Sequence, residues 1–205
     1  MELQNRIFNA TWLASSTIYA TLQGGNLFTF YLAVICTFCY AEWHIMSSRP
    51  KLEPFRYLGF LLIFMFQQCL FYMRQMNVHY VYTLFCIVWA NDTGAYIGGK
   101  FVSKMENVWR FPDYINRKKT FLGSLTGIAL GTTIGIYFDA SLSTSFILSV
   151  VSQIGDMLES RAKRLADMKD SNLEGFEISG HGGILDRIDA LIFTTPVAFF
   201  FFRMH

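Results

Sequence analysis

Apolar residues run through this chain in seven blocks separated by polar links. Ile7 to Leu22 is diluted by Asn9, Thr11, Ser15, Ser16 and Thr17, whereas Leu27 to Ala41 and Tyr57 to Met73 are nearly unbroken, the latter despite Gln67 and Gln68. Val78 to Ala90 is short and needs Asn91 to Gly98 to complete it. Phe121 to Phe138 is rich in Gly and Thr, as suits close helix contacts in lipid. Ser143 to Met157 carries Ser149, Ser152, Gln153 and Asp156, and Leu185 to Phe202 opens on Asp186, Arg187 and Asp189. A bilayer-crossing helix takes ~20 mostly apolar residues, with ~17 workable. The pattern predicts an all-α, polytopic membrane protein of about seven transmembrane helices, or six if the first lies flat. Pro196 falls inside the last block and would kink it at most.

Composition points the same way. Of 205 residues, 53% are apolar, 17% aromatic and 16% charged, against about 25% charged in a typical soluble domain. Mean hydropathy is +0.33. A disordered chain is excluded, and so few charges could not cover a soluble core. The net charge of +2 gives no reason to expect a nucleic-acid partner. Cys36, Cys39, Cys69 and Cys86 all lie inside apolar blocks, where thiols serve as packing groups.

The cations are unevenly distributed. Of the 17 Lys and Arg, 15 fall at Arg6 or in the links 48–56, 92–120 and 156–187. With seven spans and the N-terminus inside, all of these face the cytoplasm, and the opposite side keeps only Arg74 and Arg203.

Three polar clusters sit on that cationic side. If the sixth helix continues into the cytoplasm, Gln153, Asp156, Ser160 and Lys163 share one face, although a merely solvated face would look the same. The run Ser179-Gly180-His181-Gly182-Gly183 reads as a tight loop whose N–H groups can approach an anion. Asp186 and Asp189 then open the last helix, where acids also act as plain N-terminal caps. The third cluster, Asn91-Asp92-Thr93-Gly94 to Lys100, reads as a helix end followed by a glycine-rich turn. Beyond it, Arg117-Lys118-Lys119 would serve a positive-inside anchor equally well. Together, membrane-edge carboxylates (Asp92, Asp156, Asp186) beside cations suit Mg²⁺ and phosphate chemistry, with a lipid as one substrate.

The arrangement is also familiar. Ser160-x-x-Lys163-Arg164 and Lys169-Asp170, followed by His181-Gly182-Gly183-Ile184-Leu185-Asp186-Arg187-Ile188-Asp189, resemble the signature of the phosphatidate cytidylyltransferases. Gln153-x-Gly155-Asp156-x-x-Glu159-Ser160, Asp92-Thr93-Gly94-Ala95-Tyr96, Lys118-Lys119-Thr120 and Glu42-Trp43 resemble further family segments, so the likeness runs from about Glu42 to the C-terminus. Four details depart from the family pattern. Ten residues, Ser171 to Gly180, separate Asp170 from His181, roughly three more than usual. Ser179 stands where Pro is common, and Asn116-Arg117 where Ser-Pro is usual. No Glu follows in Phe121-Leu122-Gly123.

The resemblance implies one membrane-embedded cytidylyltransferase domain over residues 1–205, with its diagnostic region at 153–189. It implies transfer of the cytidylyl group of CTP to phosphatidate, giving CDP-diacylglycerol and pyrophosphate, with Mg²⁺ as cofactor and a second cation left open. It further implies a homodimer among membrane lipids, placed in a bacterial inner (plasma) membrane with the site facing the cytoplasm. On this reading Asp156 and Asp186 hold the metal and, with Lys163 and Arg187, form the catalytic set. Lys118, Lys119, Ser160, Arg164, Lys169, His181, Gly182, Gly183 and Asp92 contact the substrates. No general base is assigned, because a phosphate monoester is already largely ionised at neutral pH. The alternatives are a CTP-dependent polyprenol or phytol kinase, which would attack the γ-phosphate and release CDP, and a small transporter. A transporter should place charges near the midplane, whereas these acids gather at one edge.

Overall fold

The computed structural model describes residues 14–102, 109–112, 119–168 and 183–204. Among the described residues the chain is all-helical apart from one antiparallel bridge, Arg110 with Thr120. The order is α1 (14–23), α2 (Gly25–Ser47), a 3-10 turn (Glu53–Phe55), α3 (Arg56–Met76), α4 (Val78–Val102), α5 (Phe121–Tyr137), α6 (Leu142–Leu165) and α7 (Leu185–Arg203). α4 packs most extensively on α5, α6 on both α5 and α7, and α3 on α7 and α2.

Local chemistry sets the helix boundaries. Thr120 and Ser141 cap α5 and α6 by accepting from the N–H groups of Gly123 and Thr144, each at 3.1 Å. Asn77 adopts extended backbone between α3 and α4, and its Oδ1 accepts from the His79 N–H at 2.9 Å. α1 turns into α2 through Gly24 and Gly25, both in left-handed conformation that only glycine adopts without strain. The Arg74 guanidinium lies against Gly24 and donates to the carbonyls of Thr21 and Leu22, which closes this end of the bundle.

Two of the described helical segments, Gly25–Ser47 and Glu53–Met76, are long and apolar enough to cross a membrane by length and composition, and Phe121–Tyr137 is apolar but shorter. The other helices are diluted by polar residues that point inward. Asn91, Ser145, Ser149, Ser152, Gln153, Thr194 and Thr195 are all buried. Asn91 Nδ2 donates to the Ser149 carbonyl at 2.8 Å, Gln153 Nε2 to Asn91 Oδ1 at 2.9 Å, and Ser124 Oγ to Gln153 Oε1 at 3.3 Å. This chain of bonds ties α4, α5 and α6 together and satisfies Asn91 and Gln153 within the bundle, whereas the buried hydroxyls of Ser152 and Thr195 have no hydrogen-bond partner among the described residues. The outer surface carries large apolar side chains instead, among them Phe30, Tyr57, Leu61, Phe64, Leu125 and Phe146.

One element differs from the sequence reading. Asp92 to Gly98 is not a helix end with a turn. α4 runs unbroken through it to Val102. Gly94 and Gly98 lie against α5, where an added Cβ would strike Thr126 and Gly127, so these glycines allow close helix approach. The expectation for the sixth helix holds: α6 continues past Met157 to Leu165. α7 likewise passes through Pro196 without interruption. Of the first apolar block, residues 7–13 lie outside the described residues.

Candidate functional site

The ends of α2, α4, α6 and the starts of α3, α5, α7 meet at one end of the bundle, and the charged residues collect there. Lys119 is brought in by the short bridge ahead of α5. The Phe111 N–H donates to the Lys119 carbonyl at 3.1 Å, the Phe121 N–H donates to the Trp109 carbonyl at 3.0 Å, and the Phe111 and Phe121 rings stack with centroids 4.3 Å apart. So held, Lys119 Nζ pairs with Asp156 Oδ2 on α6. Two turns further along α6, Lys163 Nζ lies 3.0 Å from Asp186 Oδ1 on α7 and 2.7 Å from Glu159 Oε2. Asp186 Oδ2 also accepts the Gly183 N–H at 3.1 Å.

A polar chamber of about 540 Å³ opens beside this ladder, lined by Asp92, Tyr96, Lys100, Lys119, Gln153 and Asp156 with the glycines and hydroxyls of α4 and α5. That is a common size for a small-molecule site. Asp92 lies in the field of Asp156 and Lys119, and Asp189 in that of Asp156, Asp92 and Lys163. Among the described residues, five carboxylates (Asp92, Asp156, Glu159, Asp186, Asp189) gather here with Lys119, Lys163 and, at the chamber wall, Lys100. Hard oxygen donors with excess negative charge fit a divalent cation such as Mg²⁺. Asp156 and Asp186 are each held by a separate lysine, and no three Asp, Glu, His or Cys groups among the described residues already stand together as a ligand set.

The structure thus brings together Asp92, Asp156, Lys119, Lys163, Asp186 and Gly183 of the residues singled out from the sequence. Ser160 is buried on α6, and Arg164 is exposed at its end. Arg187 lines a separate, mostly apolar cavity of about 200 Å³ with Thr17, Phe28, Tyr31, Trp89 and Leu191. Lys118, Lys169, His181 and Gly182 lie outside the described residues.

Three participants were not singled out as site residues. Glu159 and Asp189 were visible at helical spacing from Asp156 and Asp186. Glu42 has no such spacing and was marked only by the likeness of Glu42-Trp43 to a family segment. Its carboxylate, buried near the end of α2, accepts the N–H groups of Ile184 at 2.9 Å and Leu185 at 2.8 Å. α7 has no side-chain cap of its own at Ile184, so a residue from α2 satisfies its first donors and fixes the turn that presents Asp186.

Sequence comparison identifies the class to which this bundle and site belong. The model of the cytidylyltransferase family matches residues 55–205, and the chain belongs to that family. Its curated relatives carry a more particular name. The chain is 39% identical over 127 residues to the phosphatidate cytidylyltransferase of Synechocystis sp., a match covering 57% of this chain and 41% of that protein. It is 32% identical over 166 residues to that of Staphylococcus aureus (strain COL), covering 76% and 59%, and 36% identical over 134 residues to that of Staphylococcus haemolyticus, covering 60% and 49%. The chain spans about half the length of the curated relatives it matches.

Proposed function

We propose that this protein transfers the cytidylyl group of CTP to phosphatidate, releasing pyrophosphate and forming CDP-diacylglycerol. A phosphate oxygen of the lipid attacks the α-phosphorus of CTP, and the bond from that phosphorus to the β-phosphate bridging oxygen breaks. The observation that carries this reading is the double ladder on α6, Lys119 with Asp156 and Lys163 with Asp186, beside a polar chamber within the matched family region.

Two polyanions must meet here, so positive groups have to offset their repulsion. Lys119 sits at the chamber and is suited to the triphosphate, whereas Lys163, held between Glu159 and Asp186 in the last turn of α6, is suited to the lipid phosphate. Asp156 and Asp186 would hold Mg²⁺, which when bound offsets charge on the phosphates and on the departing pyrophosphate. The lysines now paired with these carboxylates, Lys119 and Lys163, would be the groups available to phosphate if the carboxylates held a cation. Gly183 and Glu42 keep the start of α7 in register throughout.

The seven helices cross a bacterial inner membrane, N-terminus inside and site facing the cytoplasm. The support is the gathering of cations at one end of the bundle, the inward turn of the polar side chains and the apolar outer surface. Incubation of the purified protein with CTP, phosphatidate and Mg²⁺ should yield a CDP-lipid and pyrophosphate. Release of CDP with phosphorylation of a polyprenol or phytol would instead identify a lipid kinase, and neither product would overturn the reading.

A further inference from the structure

At the charged end of the bundle α6 separates two cavities of opposite character. Its Gln153 and Asp156 side faces the polar chamber already described. The other side faces a cleft of about 300 Å³ between α3 and α6, floored by α7. α3 and α6 both pack against α7 but make little contact with each other, which leaves the cleft between them. Leu58, Leu62, Ala162, Leu165, Ile192 and Phe193 make its walls apolar. Glu159 and Asp189 also line it, and both belong to the carboxylate cluster around Lys163.

We infer that this cleft receives one acyl chain of the lipid phosphate, which enters sideways from the bilayer while the nucleotide occupies the polar chamber across α6. The inference rests on the function proposed above. Apolar walls call for an apolar occupant. The cleft also reaches Arg161 and, at Glu159, the Lys163 ammonium, cations that suit an occupant with an anionic group at one end. A lipid phosphate has both parts, whereas a neutral hydrocarbon has only the first. The outer mouth is flanked by the exposed Phe55 and Leu58, side chains that suit contact with lipid rather than water. The volume is about twice that of the ~150 Å³ apolar cavity known to take a benzene-sized guest. That admits part of one chain, not two.

Ala162 lines the cleft from α6, and Ala162→Phe fills it. With dioleoyl phosphatidate against dihexanoyl phosphatidate, the ratio of kcat/KM should fall by at least about 10-fold relative to the unmodified protein, the scale of a hydrophobic pocket's discrimination. The KM for CTP should show no matching rise. Equal loss with both lipids, or no change with either, overturns the assignment. A second measurement needs neither turnover nor the variant. Phosphatidate bearing a diazirine on one acyl chain, added to the unmodified protein in nanodiscs, should label α3, α6 and α7 at Leu62, Ala162 or Phe193. Excess unlabelled phosphatidate should compete and phosphatidylcholine should not. Labelling elsewhere, or equal competition by both lipids, marks nonspecific lipid contact and overturns it. If no CDP-lipid forms from either substrate yet specific labelling persists, the proposed reaction fails while the lipid-phosphate cleft stands.

Discussion

Asp156 lies within α6 and Asp186 in the first turn of α7, each paired with a lysine from outside its own helix. If they serve only as ion-pair partners or caps, Asn should replace them with little loss, since Asn caps helices about as well as Asp. If they hold the metal, Asp156→Asn and Asp186→Asn should each lower kcat by at least ~10²-fold, the scale of losing one major electrostatic contact. Folded protein should still accumulate in the membrane fraction, and near-normal turnover by either variant would remove that residue from the metal site. Glu42 gives a different test. Glu42→Ala leaves the buried Ile184 and Leu185 N–H groups without their acceptor, and each such loss costs roughly 1–3 kcal/mol. The variant should show a lowered unfolding temperature in detergent and a lower kcat, and Glu42→Gln should recover part of both. The aspartates and Lys163 were legible in the sequence because they recur at helical spacing on one face. Glu42 was marked only by the likeness of Glu42-Trp43 to a family segment; its role was not legible, because its partners are backbone groups 142 and 143 residues away, and no side-chain pattern marks a backbone donor.

At the scale of the element, glycine means packing, as the sequence suggested for α5 and in place of the turn that it suggested at Gly94 to Gly99. α5 carries Gly123, Gly127, Gly131 and Gly135 at every fourth position, all buried. A Cβ on Gly127 would lie 2.7 Å from the Asn91 carbonyl oxygen, and one on Gly131 would lie 2.6 Å from Ser149 Oγ. The stripe therefore sets how closely α5 approaches α4 and α6, and through Asn91 and Gln153 it holds the chamber together. Gly131→Val should force the helices apart and abolish monodisperse protein in size-exclusion chromatography, while Ala129→Val, on the exposed side of α5, should leave the elution profile unaltered. Within lipid there is little hydrophobic drive to bring helices together, so small residues and internal hydrogen bonds decide contact. For the same reason Gly94 and Gly98 sit inside α4 without ending it.

For the whole molecule the decisive feature is polarity between the two ends of the bundle. The distribution of cations announced it, and the structure collects Lys51, Lys119, Lys163 and their partners at one end, with Arg74 bracing the other. Ser48 lies on the charged side and Ser143 on the opposite side, and both are exposed. In oriented inner-membrane vesicles a membrane-impermeant thiol reagent should reach Ser48→Cys and Ser143→Cys from opposite faces. Labelling of both from one face would refute the seven-span arrangement. The number of spans is less legible in the sequence than the clustering of cations, because α4, α6 and α7 carry buried polar residues that lower their hydropathy.

The clasp between Glu42 and the start of α7 bears on biogenesis. A ribosome-bound chain that has inserted α2 but not yet α7 holds a carboxylate with neither of its two N–H donors. Burying that group early would be costly, so α2 should stay loosely seated, its charged end reaching toward the interface, until α7 arrives. Docking of α7 would then complete the cap and bring Asp186 to Lys163 in a single event. The charged end of the bundle would thus be completed only once α7 has inserted, and a nascent chain arrested before Leu185 should be a ready target for membrane quality-control proteases.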